Sequence, residues 1–287
     1  MDIKPILGVI GGSGLYDFPA LEKKQEFVIH TPFGDPSSPI IVGELSGKQV
    51  AFLARHGIGH IHSPSEVNYQ ANIYALKSIG VDQVVSISAC GSLREDYSPG
   101  QIVIPDQIFD FTHKRQQSFF SDGVAVHISA PDPFCSTLSN ELYQAVLSTG
   151  ATVHKSGTYI TIEGPRFSTK AESHLYRNWG ISIIGMTACP EIFLAREAEM
   201  CYSTMAHVTD YDVWHTNEKP VTVDMVIKVL KANTKIAQKA IINLVKKLPV
   251  KSTCGCKNAL KDAVMTRRDL ITETTKEKLN LLLSKYL

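Results

Sequence analysis

Ala206-His207-Val208-Thr209-Asp210-Tyr211-Asp212 is an apolar run that ends in two aspartates one residue apart. Residues i and i+2 of a strand point to the same side, so a β-conformation aims both carboxyls into one small volume. Two acids at close range push one pKa upward, which lets one hold a proton near neutral pH while the other accepts hydrogen bonds. The competing reading is an Asx-turn or helix cap at the strand end, in which the side chain serves only the local backbone.

The segments around this strand repeat its form. Ile6-Leu7-Gly8-Val9-Ile10 stops at Gly11-Gly12-Ser13-Gly14, a buried strand entering a tight glycine turn. Those glycines are not spaced as G-x-G-x-x-G, and the Lys-Ser/Thr pair of a P-loop is absent, so the turn suits one phosphate or other anion better than a dinucleotide. Ile40-Ile41-Val42 and Val50 to Ala54 read as two strands joined near Gly47, the second ending in Arg55-His56, where a guanidinium fork and an imidazole can clamp an anion. Val84 to Ala89 reads as a central strand opening at Cys90-Gly91-Ser92. Val153 to Ile162 is a further strand, ending in Glu163-Gly164-Pro165-Arg166-Phe167-Ser168, a loop able to present an aromatic and charged groups to a planar base.

Helices are expected between these strands: Ser65 to Ile79, Pro133 to Ser148, Thr169 to Trp179, Pro190 to Met200, and one from Val223 to Lys247 with an apolar stripe opposite a lysine-rich face. The polar stretch to about residue 125, with His113, Lys114 and Arg115, is long enough to be a lid or an interface arm. Strands alternating with helices, with polar motifs gathered at strand ends, predict a single α/β domain with a central, largely parallel mixed sheet flanked by helices. Residues 1–250 form that domain; 251–287 are expected to be a helical extension packing on it, with Leu279, Leu282, Leu283 and Tyr286 docking on the body or on a neighbouring subunit.

Composition bounds the function. The chain has 287 residues, 44% hydrophobic and 20% charged, with a formal net charge of +1, which gives no electrostatic basis for binding nucleic acid or an anionic membrane. Neither an N-terminal targeting pattern nor an 18-residue apolar window occurs, so a cytoplasmic protein is expected. Of the six cysteines, Cys254-Gly255-Cys256 stands out. One intervening residue is too few for the usual zinc half-site, and no matching pair has ligand spacing elsewhere, so no metal is expected. A disulfide and a pair of thiols in a surface turn both stay open.

Gly11-Gly12-Ser13 and Arg55-His56, together with Ser88-Ala89 and the Thr187 segment, supply anion donors for one free phosphate; Phe167 and the two aspartates suit a nitrogenous base. Phosphate, base and acid in one pocket point to a nucleoside cleaved by phosphate. Val9-Ile10-Gly11-Gly12-Ser13-Gly14-Leu15, Thr31-Pro32-Phe33-Gly34, Leu53-Ala54-Arg55-His56-Gly57, Val67 to Asn72, Ala89 to Arg94, Thr161 to Ser168 and Thr209-Asp210-Tyr211-Asp212 together resemble the S-methyl-5′-thioadenosine phosphorylases of the trimeric purine nucleoside phosphorylase family, in order, from about residue 6 to 246.

The resemblance implies a nucleoside phosphorylase fold and a homotrimer or dimer of trimers. It needs no cofactor, inorganic phosphate being a co-substrate. It assigns phosphate to Ser13, Arg55, His56, Ser88, Ala89 and Thr187, with Ser13 and Ser88 standing where many relatives carry threonine. Met186 would meet the ribose hydroxyls and Phe167 the sugar and base. Asp210 would protonate or hydrogen-bond purine N7, and Asp212 would accept from the N6 amino group. His127 of an adjacent subunit, with Val223 and Val226, would line a pocket for the 5′-methylthio group. The Cys-Gly-Cys element resembles relatives in which cysteine pairs form disulfides. The implied reaction is phosphorolysis of S-methyl-5′-thioadenosine to adenine and 5-methylthioribose 1-phosphate, in purine and methionine salvage. Its rivals are a purine nucleoside phosphorylase acting on adenosine, inosine or guanosine, a hydrolytic nucleosidase, and a non-catalytic nucleoside-binding protein.

Overall fold

The computed structural model describes residues 4–12, 18–215, 222–249 and 254–287, and the side chains of residues 225, 226 and 228–232 are outside it. Its elements follow the chain as β1 (Leu7–Gly11), β2 (Glu22–Phe27), β3 (Ile40–Leu45), β4 (Lys48–Ala54), α1 (Tyr69–Ser78), β5 (Gln83–Ser92), β6 (Ile102–Val103), β7 (Gln107–Phe111), α2 (Ser136–Leu147), β8 (Val153–His154), β9 (Thr158–Ile162), α3 (Lys170–Asn178), β10 (Ile183–Gly185), α4 (Glu191–Glu197), β11 (Cys201–Asp210), α5 (Val223–Lys247), α6 (Glu273–Lys278) and α7 (Asn280–Leu283).

Among the described residues eleven strands make one mixed sheet, with β2-β3-β4-β1-β5-β10-β9-β7 in order and β11, β6 and β8 attached through β5. β11 lies parallel along β5 from Cys201 opposite Gln83 to Asp210 opposite Gly91. A strand has two edges, so β1 and β10 share the other: β1 flanks Val84 to Ser86, and β10 takes over at Gly91 and Ser92. The sheet therefore splays at the C-terminal end of β5. Parallel β1, β4, β5 and β11 deliver their C-terminal ends to that gap, the crevice in which open α/β sheets hold ligands.

Both faces are covered, and every residue of β11 is buried. Leu138, Leu142, Ala145 and Val146 of α2 meet Ala237, Ile241, Leu244 and Val245 of α5 on one side. On the other, Ile73 and Leu76 of α1 meet Ile192, Leu194 and Ala195 of α4. Near-continuous apolar strands are what two-sided coverage requires. The C-terminal segment joins this second cluster through Leu260, Ile271, Leu279, Leu282 and Leu283, with Tyr286 packed at its margin, so these leucines dock on their own chain.

Two features depart from expectation. β2, Glu22-Lys23-Lys24-Gln25-Glu26-Phe27, carries no apolar alternation because it is an exposed edge strand, where charge discourages further pairing. The polar stretch before residue 125 is neither free nor lid-like. Its Arg115 is buried and donates to Tyr69 Oη, Met186 O, Cys189 O and Glu163 O at 2.6 to 3.2 Å. Five donors fixed in one plane are satisfied only by ordered acceptors, which pins the segment to the loops after β9 and β10.

Candidate active site

A cavity of about 760 Å³ opens where the sheet splays. Gly12, Arg55, His56, Ser88, Ala89 and Thr187 line it, as do Phe167, Met186, Asp210, Asp212 and Val223. The volume is within the usual range for a small-molecule site. Ser13 and the side chain of Val226 lie outside the described residues. His127 is exposed and does not line the cavity of its own chain; its backbone N–H donates to Ala263 O at 2.9 Å.

The two aspartates converge by a turn rather than by strand alternation. β11 has a register shift between Val208 and Asp210 and ends at Asp210. Asp212 follows at φ +53°, the left-handed region that Asp tolerates better than most residues. Asp210 Oδ1 accepts the Asp212 backbone N–H at 2.8 Å, closing an Asx-turn, and Oδ2 accepts from Thr209 Oγ1 at 2.7 Å. The local-turn reading and the shared-site reading are thus both realised. Gly91 of β5 makes the room, since a Cβ there would sit 2.9 Å from Asp210 Oδ1 and 3.3 Å from Asp212 Cβ.

Burial pushes the Asp210 carboxyl from 3.8 up to about 6, partly opposed by its two hydrogen bonds, and the charge of Asp212 adds a smaller upward push. Desolvation, more than the paired acid, is the main cause. Burial also raises Asp212. Its Oδ2 is shut off from the surface, and the nearby Ser173 and Ser168 hydroxyls oppose that rise. Asp212 also lines the cavity, where an ionised carboxylate can accept from a ligand N–H.

At the other end the expected guanidinium fork is corrected. Arg55 is 1% exposed, and its Nε and Nη2 grip the two carboxylate oxygens of buried Glu191 at 2.8 and 2.9 Å. Nη2 also donates to Ser86 Oγ at 2.6 Å and Nη1 to Ile87 O at 3.2 Å. One of the five donors is left for an anion, so Arg55 brings charge more than a bidentate clamp. His56 stacks on His60 with ring centroids 4.2 Å apart, and its Nδ1 lies 2.9 Å from His62 O. A carbonyl can only accept, so Nδ1 carries the proton. Burial and then the Arg55 charge lower His56 to about 3, which keeps the ring neutral with Nε2 as its remaining acceptor.

The loop after β9 contributes Pro165, Phe167 and Ser168 to the cavity, but not its charged residues. Glu163 accepts from the His113 and Lys114 N–H groups, from Ser65 Oγ and from Arg115 Nε. Although burial opposes it, this shell holds Glu163 down at about 2. Arg166 pairs with Glu172, which is also the N3 partner in the capping box that Thr169 makes at the start of α3. Both charges therefore fix the loop. Phe167, 38% exposed, is the part left to meet a ligand.

Two contributors escaped the sequence reading. Tyr159, fully buried on β9, places its hydroxyl 3.4 Å from Ser88 Oγ, and only glycine fits opposite, because a Cβ on Gly185 would stand 2.0 Å from that hydroxyl. His207 of β11 lines the cavity with neither ring nitrogen hydrogen-bonded among the described residues. Burial lowers it to about 4, so its ring is neutral near pH 7. In sequence it is one polar residue in an apolar strand, which equally fits a satisfied core histidine.

Residues 6–248 match the model of the phosphorylase superfamily. The chain belongs to that family. It is 48% identical over 285 residues to the S-methyl-5′-thioadenosine phosphorylase of Geobacter sulfurreducens, covering 99% of this chain and all of that one. The enzyme of the same name from Chloroflexus aurantiacus is 52% identical, covering 98% of each chain. Among solved structures, a methylthioadenosine phosphorylase from an antarctic soil metagenomic library superposes with a TM-score of 0.92 at 46% identity, covering 98% of this chain and 99% of that one. The Schistosoma mansoni methylthioadenosine phosphorylase in complex with adenine gives 0.86 at 35% identity, covering 93% of this chain and all of that one. The chain is thereby an enzyme of the purine nucleoside phosphorylase type. None of the described helices is long and apolar enough to cross a membrane.

Proposed function

We propose that the enzyme catalyses phosphorolysis of S-methyl-5′-thioadenosine to adenine and 5-methylthioribose 1-phosphate, serving purine and methionine salvage. The observation that carries this reading is one cavity with two unlike polar ends: buried Asp210 and Asp212 at one, and Gly12, Arg55, His56, Ser88 and Thr187 at the other.

The base belongs at the acidic end. Asp210, near 6, is protonated in roughly one molecule in ten at pH 7, enough to supply a proton to purine N7 as the C1′–N9 bond weakens. Asp212, a carboxylate lining the same end of the cavity, reads the 6-amino group by accepting from it. A 6-oxo purine would set an oxygen against that acceptor, which disfavours it. Phe167 and Met186 cover the sugar and base.

Phosphate belongs at the other end, beside the Arg55 charge, the Ser88 and Thr187 hydroxyls and the backbone of Gly12 and Ala89. Neutral His56 offers Nε2 as an acceptor, which suits the hydroxyl of a protonated phosphate. Attack on C1′ from the face opposite the base then meets a sugar already carrying oxocarbenium character. Val223, 61% exposed, and Ile227, 41% exposed, give the cavity an apolar wall suited to a thioether, and His127 of a neighbouring subunit would close it in a trimer. Inorganic phosphate is the only co-substrate required.

The deciding experiment follows adenine release from methylthioadenosine with and without phosphate, together with kcat/KM for methylthioadenosine, adenosine and inosine. Release that depends on phosphate and forms a sugar 1-phosphate, with inosine the poorest substrate, is expected. Equal release without phosphate would make the enzyme a hydrolase.

A further inference from the structure

Cys135, Cys201, Cys254 and Cys256 are spread over 122 residues of chain, yet their four sulfurs all lie within 4.8 Å of one another. Cys135 is the N-cap residue of α2 and Cys201 is the first residue of β11. Cys254 and Cys256 flank Gly255 at the start of a single 3₁₀ turn, Gly255–Asn258. The first two are buried and the other two half-buried. Backbone bonds fix the buried pair, with Cys135 N–H donating to Tyr202 O at 2.9 Å and Cys201 N–H to Asp82 O at 2.8 Å. No disulfide joins any of the six cysteines, all of which are described.

We infer that these four cysteines form a structural zinc site that staples the C-terminal segment to the body of the domain. Four thiolates with no oxygen or nitrogen donor select a soft, tetrahedral ion over magnesium or calcium. Zn–S bonds of about 2.3 Å place tetrahedral sulfurs ~3.8 Å apart, a spacing the cluster already brackets, with Cys201 and Cys254 at 3.1 Å. Two separate disulfides need two pairs of sulfurs; they do not need all four to meet. Binding converts four thiols to thiolates, releases four protons to solvent and leaves zinc at the centre with no change of oxidation state. The N-terminal end of α2 favours the thiolate form of Cys135.

Cys-Gly-Cys gives too short a spacing for a zinc half-site when read along the chain, but tertiary packing supplies the other half from the start of a helix and the start of a strand. Cys201 and Asp210 stand at opposite ends of β11, about 30 Å apart for a ten-residue strand, so the ion takes no part in the chemistry. It would tie residues 254–287, whose leucines complete one core cluster, to α2 and β11.

The test measures metal in untagged, full-length enzyme purified under reducing conditions. About one zinc per chain is expected. Replacement by cobalt should give the visible absorption of tetrahedral cobalt thiolate, and a strong zinc chelator should lower Tm by about 5 °C or more. The Cys254→Ser/Cys256→Ser double variant should bind no zinc and melt at the chelated wild-type temperature without responding to chelator. If that variant fails to fold, zinc content and the cobalt spectrum of the wild type still decide. Absence of stoichiometric metal and of a cobalt spectrum in the reduced protein would overturn the inference. So would iron in place of zinc, or two disulfides found by intact mass in enzyme trapped by alkylation at lysis.

Discussion

Asp210 Oδ1 accepts the backbone N–H of Asp212 at 2.8 Å, so the residue with the raised pKa also builds the turn that carries its neighbour into the cavity. An amide oxygen can accept the same bond, whereas a methyl group cannot. The acid and positioning roles of Asp210 can therefore be separated. Asp210→Asn should keep the turn and lose the proton, lowering kcat by about 10²-fold or more, the scale of general acid catalysis. Asp210→Ala should lose both and also weaken nucleoside binding. Steady-state kinetics at saturating phosphate distinguish them.

The same burial has a cost that depends on pH. Asp210 is protonated in both folded and unfolded chains below its ordinary 3.8, so it contributes no difference there. As pH rises through about 6, the folded state must ionise a buried acid, and stability is lost. A rise from 3.8 to about 6 is worth at most about 3 kcal/mol. Asp210→Asn should therefore be more stable than wild type in urea at pH 8, with the gap closing toward pH 4. Glu163 should behave oppositely, because its shell holds it below the ordinary carboxylate range. Its contribution is complete above 4.5 and lost as pH falls toward 2, so Glu163→Gln should cost about 1–2 kcal/mol at pH 7, allowing for solvent screening, and little at pH 2.5.

Gly91→Ala tests the space under the aspartates. The added Cβ would be 2.9 Å from Asp210 Oδ1, 3.1 Å from Ile184 Cγ2 and 3.3 Å from Asp212 Cβ, so the acids must move by tenths of an ångström. Displacement on that scale is expected to lower kcat about 10- to 100-fold while leaving a folded enzyme, checked by circular dichroism beside activity.

Asp212→Asn should shift specificity. An amide can donate to a 6-oxo group where the carboxylate only accepts, so kcat/KM for inosine relative to adenosine should rise about 10-fold or more. An unchanged ratio would remove Asp212 from base recognition.

Glu191 is 0% exposed and holds Arg55 by two hydrogen bonds while accepting from Tyr202 Oη at 2.7 Å. Glu191→Ala leaves a buried cation uncompensated and should destabilise the fold by about 3–5 kcal/mol in urea unfolding. The double change Arg55→Met with Glu191→Leu should recover part of that loss and raise KM for phosphate.

The sequence by itself determined the α/β class, the parallel strands, and the gathering of Arg55, His56, Ser88, Thr187, Phe167, Asp210 and Asp212 in one cavity. Buried strands advertise themselves by unbroken apolar runs, and in parallel sheets their C-terminal ends must come together. Tertiary structure decided what each side chain is free to do. Nothing near Arg55 in the chain reveals that Glu191, 136 positions away, takes its fork. Nothing near Glu163 reveals its capture by the segment around Arg115, and a register shift plus one left-handed residue, rather than alternation, aims Asp212. The four cysteines show the same limit: ligand spacing along the chain reports only donors that share a local segment, and these meet because α2, β11 and the C-terminal turn pack together.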